Sequence, residues 1–268
     1  MVDSTGGSYL PCVCTSGEAE LVLSSGRINL LIAGPGTDPA IVDLCRTLKI
    51  PSASALKIKP ARDLVQKVKG SRIDPLPSSF NPPIDLAQKA EVAVSPPTLE
   101  EFFKKGPAKK LAFLGGADHP YHSLGWLPTE LTPALQGRGY AVSGWGDAAL
   151  WMIKKGLATP HRKPPIQILD SRQGMIMALN ALAASGRRKD VKGVCFTGMK
   201  TCQDLAVALG LAVLGLRVST AVPLPLWGSE KVRSLFQEKL AALGGSFTHF
   251  DHPAQAEEIL DWFLKNES

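Results

Sequence analysis

Short apolar runs rich in branched residues alternate along this chain with longer amphipathic stretches, and Gly or Pro closes most of the runs. RINLLIA (27–33) ends at Gly34-Pro35-Gly36, the pattern of a buried strand leading into a sharp turn. Thr37 or Asp38 can cap a helix over 39–48, with Pro39 in its first turn, where no amide donor is needed. Residues 50–53 read as a second short strand, and 59–69 as a helix starting around Pro60. From 111 onward the alternation is regular. Strands are predicted at 111–114, 140–143, 166–169, 194–197, 218–222 and 246–250. Helices are predicted at 128–136, 147–155, 174–185, 201–214, 229–243 and 253–265. Apolar strands of this length separated by helices pair in parallel through right-handed crossovers, with both faces covered. The expected fold is α/β, with doubly wound, mostly parallel Rossmann-like sheets in two lobes. Between the lobes, 72–97 holds Pro75, Pro77, Pro82, Pro83, Pro96 and Pro97, a density that removes ladder donors and stops helices. Residues 1–95 are thus assigned to a partial Rossmann-like lobe ending in this linker, and 98–268 to a Rossmann-like α/β domain.

The composition narrows the function classes. With 268 residues, 44% hydrophobic and 20% charged, the chain can bury one large or two modest cores. Every apolar run is interrupted before it reaches a membrane span. MVDSTGGSYLPCVC lacks the basic and apolar regions of a secretory signal, so a cytoplasmic location is expected. The net charge of +6 comes from scattered clusters such as Lys104-Lys105, Lys109-Lys110, Lys154-Lys155 and Arg187-Arg188-Lys189. Aromatic residues are only 6%, too sparse for base-stacking platforms, which argues against nucleic acid and leaves solvated helix ends or an acidic protein partner. Five cysteines, at 12, 14, 45, 195 and 202, form no even framework and suit a reducing compartment.

Candidate chemistry belongs at the carboxyl ends of the strands, where open parallel sheets bind ligands. Gly34-Pro35-Gly36 lacks the third glycine of a dinucleotide fingerprint, and Gly198-Met199-Lys200-Thr201 resembles the end of a phosphate loop but has no glycine four residues earlier. Asp118, His119 and His122 could hold zinc, but Pro120 lies between the histidines and favours a plain hydrogen-bonded loop. His249 and His252 bracket Asp251 and read as a cap ahead of Pro253. Cys12 and Cys14 are weak metal candidates that would need two further ligands. Cys195 lies in an apolar strand and reads as a small buried hydrophobe. Cys202, near Lys200 at a helix start, is better placed for a lowered thiol pKa.

From Arg27 to Ser268 the chain resembles the carboxy-terminal part of anaerobic nickel–iron–sulfur carbon monoxide dehydrogenases and, more distantly, hybrid-cluster (prismane) proteins. The resemblance is clearest over Pro165–Arg172, Gly193–Thr197, Leu205–Gly210 and Leu216–Ser229. It does not reach that family's helical amino-terminal region with its electron-relay clusters. It implies a Rossmann-like fold, but the positions where the family holds cluster cysteines carry Pro35 or Gly36, Ala117 or its neighbour, Trp145 and Arg172. None of these is a soft thiolate donor. Where the family has Ser-Glu-Lys, with its acid–base lysine, this chain has Gln203-Asp204-Leu205. No catalytic residue and no cofactor is expected, nor carbon monoxide oxidation by this chain alone. Trp145 would fill the former cavity and Arg172 would add positive charge inside it.

Two functional readings follow. In the favoured one, the chain is a non-catalytic subunit that scaffolds or regulates a larger anaerobic redox or one-carbon metalloenzyme complex through protein partners, with Leu124, Trp126, Trp227 and Lys231 as candidate contacts. In the other, the emptied cavity binds a small anionic metabolite or nucleotide, lined by Asp118, His119, Trp145, Asp170 and Arg172, with Lys200 and Cys202 nearby.

Overall fold

The computed structural model describes residues 14–15, 17–35, 37–54, 66, 69, 109–119, 121–158, 166–169, 172–250 and 256–265. They fall into two compact units, Ser16–Ile84 and Asp85–Ser268, the latter taking in Met1–Thr15. The helix predicted at 59–69 and the linker at 72–97 lie almost wholly outside the described residues. Among the described residues, no helix is long and apolar enough to cross a membrane.

In the smaller unit, β1 (Leu31–Ala33) and β2 (Ser52–Ser54) pair in parallel. Helix α1 (Ala19–Ser24) precedes them and α2 (Pro39–Thr47) connects them. Asp38 caps α2 by accepting a 2.9 Å hydrogen bond from the Ala40 amide, and Pro39 follows at the first helical position. Thr37, the other expected cap, instead accepts from the Gly34 amide at 2.9 Å and closes the turn after β1. A small cluster around Leu23, Cys45 and Ile50 forms the core.

The larger unit is a six-stranded, all-parallel sheet in the order β5-β4-β3-β6-β7-β8. In sequence the strands are β3 (Leu111–Gly116), β4 (Ala141–Trp145), β5 (Ile166–Ile168), β6 (Val191–Gly198), β7 (Arg217–Thr220) and β8 (Ser246–His249). Helices α3 (Trp126–Gly137), α4 (Gly146–Lys154), α5 (Arg172–Ala184), α6 (Cys202–Val213) and α7 (Glu230–Ala242) connect them, and α8 (Ala256–Leu264) closes the unit. Winding starts at β3, runs outward to β5, then returns to β6 on the other side of β3, which is the doubly wound Rossmann order.

Side chains alternate across the pleat. Leu111 and Phe113 point into a core shared with Met175 and Leu179 of α5, Ala208 and Leu211 of α6, and Leu240 of α7. Ala112 and Leu114 point the other way, into a core with Leu131 of α3, Met152 of α4, and Ile259 and Phe263 of α8. Both faces are therefore covered, as near-continuous apolar strands require.

Two elements depart from their predicted bounds in ways that affect the site. β4 runs on through Trp145, a residue expected in a turn; its indole is only 2% exposed, and burial in the core extends the strand. α3 starts at Trp126, two residues early, and continues through Pro133. The Thr132 hydroxyl, donating to the Pro128 carbonyl at 2.6 Å, and the Thr129 hydroxyl, donating to Gly125 at 2.7 Å, add bonds along a helix that has lost an amide donor.

Candidate functional site

The doubly wound order puts the ligand-binding crevice of such sheets outside the carboxyl ends of β3 and β6, where the winding reverses. Here that region is occupied by protein. Gly116 pairs with Gly198 across the two strands and bridges to Gly146 on the other side. A Cβ on Gly116 would overlap the Gly198 carbonyl oxygen, and one on Gly198 would overlap that of Ala117. Gly116 also has φ +119°, open at low cost only to glycine. The Trp145 indole lies against Gly115, where a Cβ would overlap the ring, and meets Phe196 edge-to-face at 5.3 Å. The Thr197 hydroxyl donates to the Gly115 carbonyl at 3.2 Å. Among the described residues, the strand tips are joined backbone to backbone and the Trp145 indole fills the space beside Gly115.

Beside this seam lies a depression of about 270 Å³, counting the solvent at its mouth, formed by the β3–α3 loop, the start of α3 and Thr197. Asp118 and His119 line it. The buried Asp118 carboxylate accepts from Trp151 Nε1 at 3.0 and 3.1 Å, and the Asp118 amide donates to Asp147 Oδ2 at 2.7 Å. Asp147 and Trp151, four residues apart on one face of α4, thus fix Asp118 from both ends. His119 Nδ1 accepts from the Tyr121 amide at 3.3 Å, so its neutral ring carries the proton on Nε2. Burial, then the electrostatic influence of His122 and of Lys200, holds His119 below the ordinary histidine pKa. His122 Nε2 lies 2.6 Å from the Ala221 carbonyl at the tip of β7. That nitrogen must donate there, which removes it as a metal ligand. Among the described residues no group of three His, Cys, Asp or Glu could hold a metal ion.

The turn into α6 is occupied in a similar way. Thr201 and Asp204 form a reciprocal capping box, and Asp204 Oδ2 also accepts from the Lys200 amide at 3.2 Å. The Lys200 and Thr201 amides just ahead of α6 are therefore taken by a carboxylate of the chain itself. Asp204 Oδ1 accepts from the Arg172 guanidinium at 2.6 Å, and Gln203 Oε1 accepts from Arg172 at 3.0 Å. This corrects the expectation of an Arg172 charge inside the cavity: the side chain joins the first turns of α5 and α6. Lys200 and Cys202 are exposed at that edge. Asp170 and Cys12 lie outside the described residues, as do Asp251 and His252, and Cys14 is half-buried. His249 Nε2 lies 2.9 Å from the Val222 carbonyl.

Of the proposed contact residues, Leu124 is 40% exposed and Lys231 is exposed. Trp227 is not a surface contact: it is 8% exposed and packs on Phe236 and Phe247 at 4.9 and 5.6 Å. Sequence reasoning missed the parts played by Asp147, Trp151 and Asp204. The four-residue spacing of Asp147 and Trp151 and the Thr-x-x-Asp pattern at 201–204 were the available signals.

No protein-family model matches this chain, and no curated protein matches it. Its doubly wound fold is the one found in solved carbon monoxide dehydrogenase structures. Carbon monoxide dehydrogenase IV from Carboxydothermus hydrogenoformans superposes with TM-score 0.66 at 15% identity, over 92% of this chain and 50% of that one. The as-isolated, nickel-free carbon monoxide dehydrogenase from Thermococcus sp. AM4, produced without CooC maturase, gives 0.63 at 18% identity over 92% and 48%. An acetyl-CoA synthase/carbon monoxide dehydrogenase structure, described for NiZn[Fe4S4] and NiNi[Fe4S4] clusters in its alpha subunits, gives 0.61 at 14% over 92% and 47%. The chain spans about half the length of the chains it matches.

Proposed function

We propose that this chain is a non-catalytic, carbon monoxide dehydrogenase-like subunit that scaffolds or regulates a larger anaerobic redox or one-carbon metalloenzyme complex. The observation that carries this reading is the close join of the β3 and β6 tips, with Trp145, at a position where the resembling family holds a cluster cysteine, buried against Gly115. The occupied side chains around it agree: Asp118 is held by Trp151, and Asp204 accepts from the Lys200 and Thr201 amides ahead of α6. What such a fold retains after losing its cavity is its outer surface, so its work is recognition of other proteins.

Co-expression of the full chain with the catalytic subunits of a nickel–iron–sulfur carbon monoxide dehydrogenase tests this. A complex of fixed stoichiometry by native mass spectrometry is expected, together with an isolated chain lacking stoichiometric nickel and iron. The reading fails if the isolated chain reduces a viologen dye with carbon monoxide. It fails equally if one small anion raises the Tm of the isolated chain in a saturable way, since ligand binding to the native state stabilises it by mass action.

A further inference from the structure

In a doubly wound sheet the strands begin, and the helices end, along one shared edge. In the larger unit that edge is basic: Lys109, Arg138, Lys155, Arg188, Lys189 and Lys239 are all exposed there. Lys239 lies in the last turn of α7, Arg138 and Lys155 cap α3 and α4, and Arg188 and Lys189 belong to a 3-10 turn, so part of this charge complements helix ends. The acids nearby are fewer. Asp190 is held by Arg187 at 2.8 Å, Glu238 is exposed beside Lys239, and Asp261 lies within α8.

The same edge exposes apolar side chains. Leu214, just past α6, is 64% exposed, and Leu243, just past α7, is 63% exposed. Their turns precede the neighbouring strands β7 and β8 and touch: a Cβ on Gly245 would stand 3.1 Å from the Ala212 carbonyl. A guanidinium nitrogen of Arg188 lies 2.7 Å from where a Cβ on Gly215 would be, which places that cation at the turn that carries Leu214. An apolar centre with a charged rim is the anatomy of a protein-recognition patch. Nucleic acid fits it less well, because among the described residues none of the large hydrophobic side chains exposed along this edge is aromatic.

We propose that Leu214 and Leu243, rimmed by Arg188, Lys189 and Lys239, form a docking surface for an acidic protein that presents an apolar side chain at the centre of its contact. This rests on the reading that the chain works within a complex, and it specifies which surface makes the contact and the charge of the partner.

The test uses the full chain co-expressed with the dehydrogenase subunits, and separately the tagged full chain made in its own host. Leu214→Ser/Leu243→Ser and Lys189→Glu/Lys239→Glu are compared with wild type, with the exposed Val232→Ser at the opposite edge, in the first turn of α7, as control. Exposed positions should leave Tm unchanged, while each double variant weakens association about tenfold or more. The charge-reversal variant should also flatten the salt dependence of binding. Carbodiimide cross-links should join Lys189 or Lys239 to Asp or Glu of the partner. The surface is refuted if both double variants bind like wild type, if cross-links map to the opposite edge, if nuclease abolishes the association, or if the chain stays alone in both settings. A metalloenzyme complex that tolerates the variants removes this surface and leaves the functional reading standing. A variant-sensitive complex with a metal-free protein does the reverse.

Discussion

Trp145 and Gly115 occupy each other's space, and neither can change alone without consequence. Trp145→Ala should cost about 3–5 kcal/mol in urea denaturation, the usual range for emptying a buried indole site. Gly115→Ala should cost about 1–3 kcal/mol by overpacking. In the Trp145→Ala background the added methyl enters the vacated space, so the Gly115→Ala cost should shrink; strict additivity would refute the contact. Cys195 offers a second residue-scale test. Burial pushes its thiol up to about 12, against a smaller lowering by Ser219. The unfolded chain loses this proton near the ordinary thiol pKa of about 8.5, whereas the folded chain keeps it. Its contribution is complete below that pH and is lost as pH rises towards about 12. Cys195→Ala should therefore lessen the alkaline loss of stability, and peptide mapping after iodoacetamide should find Cys202 labelled and Cys195 unmodified in the native protein. The apolar run 193–197 already placed Cys195 inside. The burial of Trp145 was only partly legible, because a residue beside two glycines reads locally as a turn and its position is decided by packing with Phe196, some fifty residues away.

At the scale of elements, the join between α5 and α6 depends on Asp204. Asp204→Ala removes half of the capping box and the Arg172 ion pair together, and should lower stability by about 2 kcal/mol; Thr201→Ala should cost about 1 kcal/mol. Equal stability of Asp204→Ala and wild type would show that the network is incidental. The alternation of strands and helices was readable because buried parallel strands must be apolar throughout and the connecting helices amphipathic. Boundaries were less so. α3 begins at Trp126 because Gly125 takes φ +70° beside the Trp151 ring, a packing relation invisible to local pattern. Arg172 looked like a free cation because its partner, Asp204, lies 32 positions on.

For the whole molecule, the two units differ in how much core they contain. Among the described residues, the larger buries both faces of a six-stranded sheet, whereas the smaller shows two three-residue strands and a core around three buried side chains. Two-stranded sheets are marginal by themselves, so amides of 31–33 and 52–54 should exchange hydrogen well before those of β3 and β6 under native conditions. Equal protection of both sets would contradict this. The filled crevice, the paired polar groups and the basic edge belong to the larger unit, which is therefore the part to probe for assembly.

The glycine seam has a genetic consequence as well. Every missense codon change at Gly115, Gly116 or Gly198 adds at least a methyl group where an indole ring or a carbonyl oxygen already stands. A saturation library selected for soluble protein should therefore be nearly empty at these three positions while tolerating substitution at Gly137 and Gly210, where a side chain meets nothing within 4 Å.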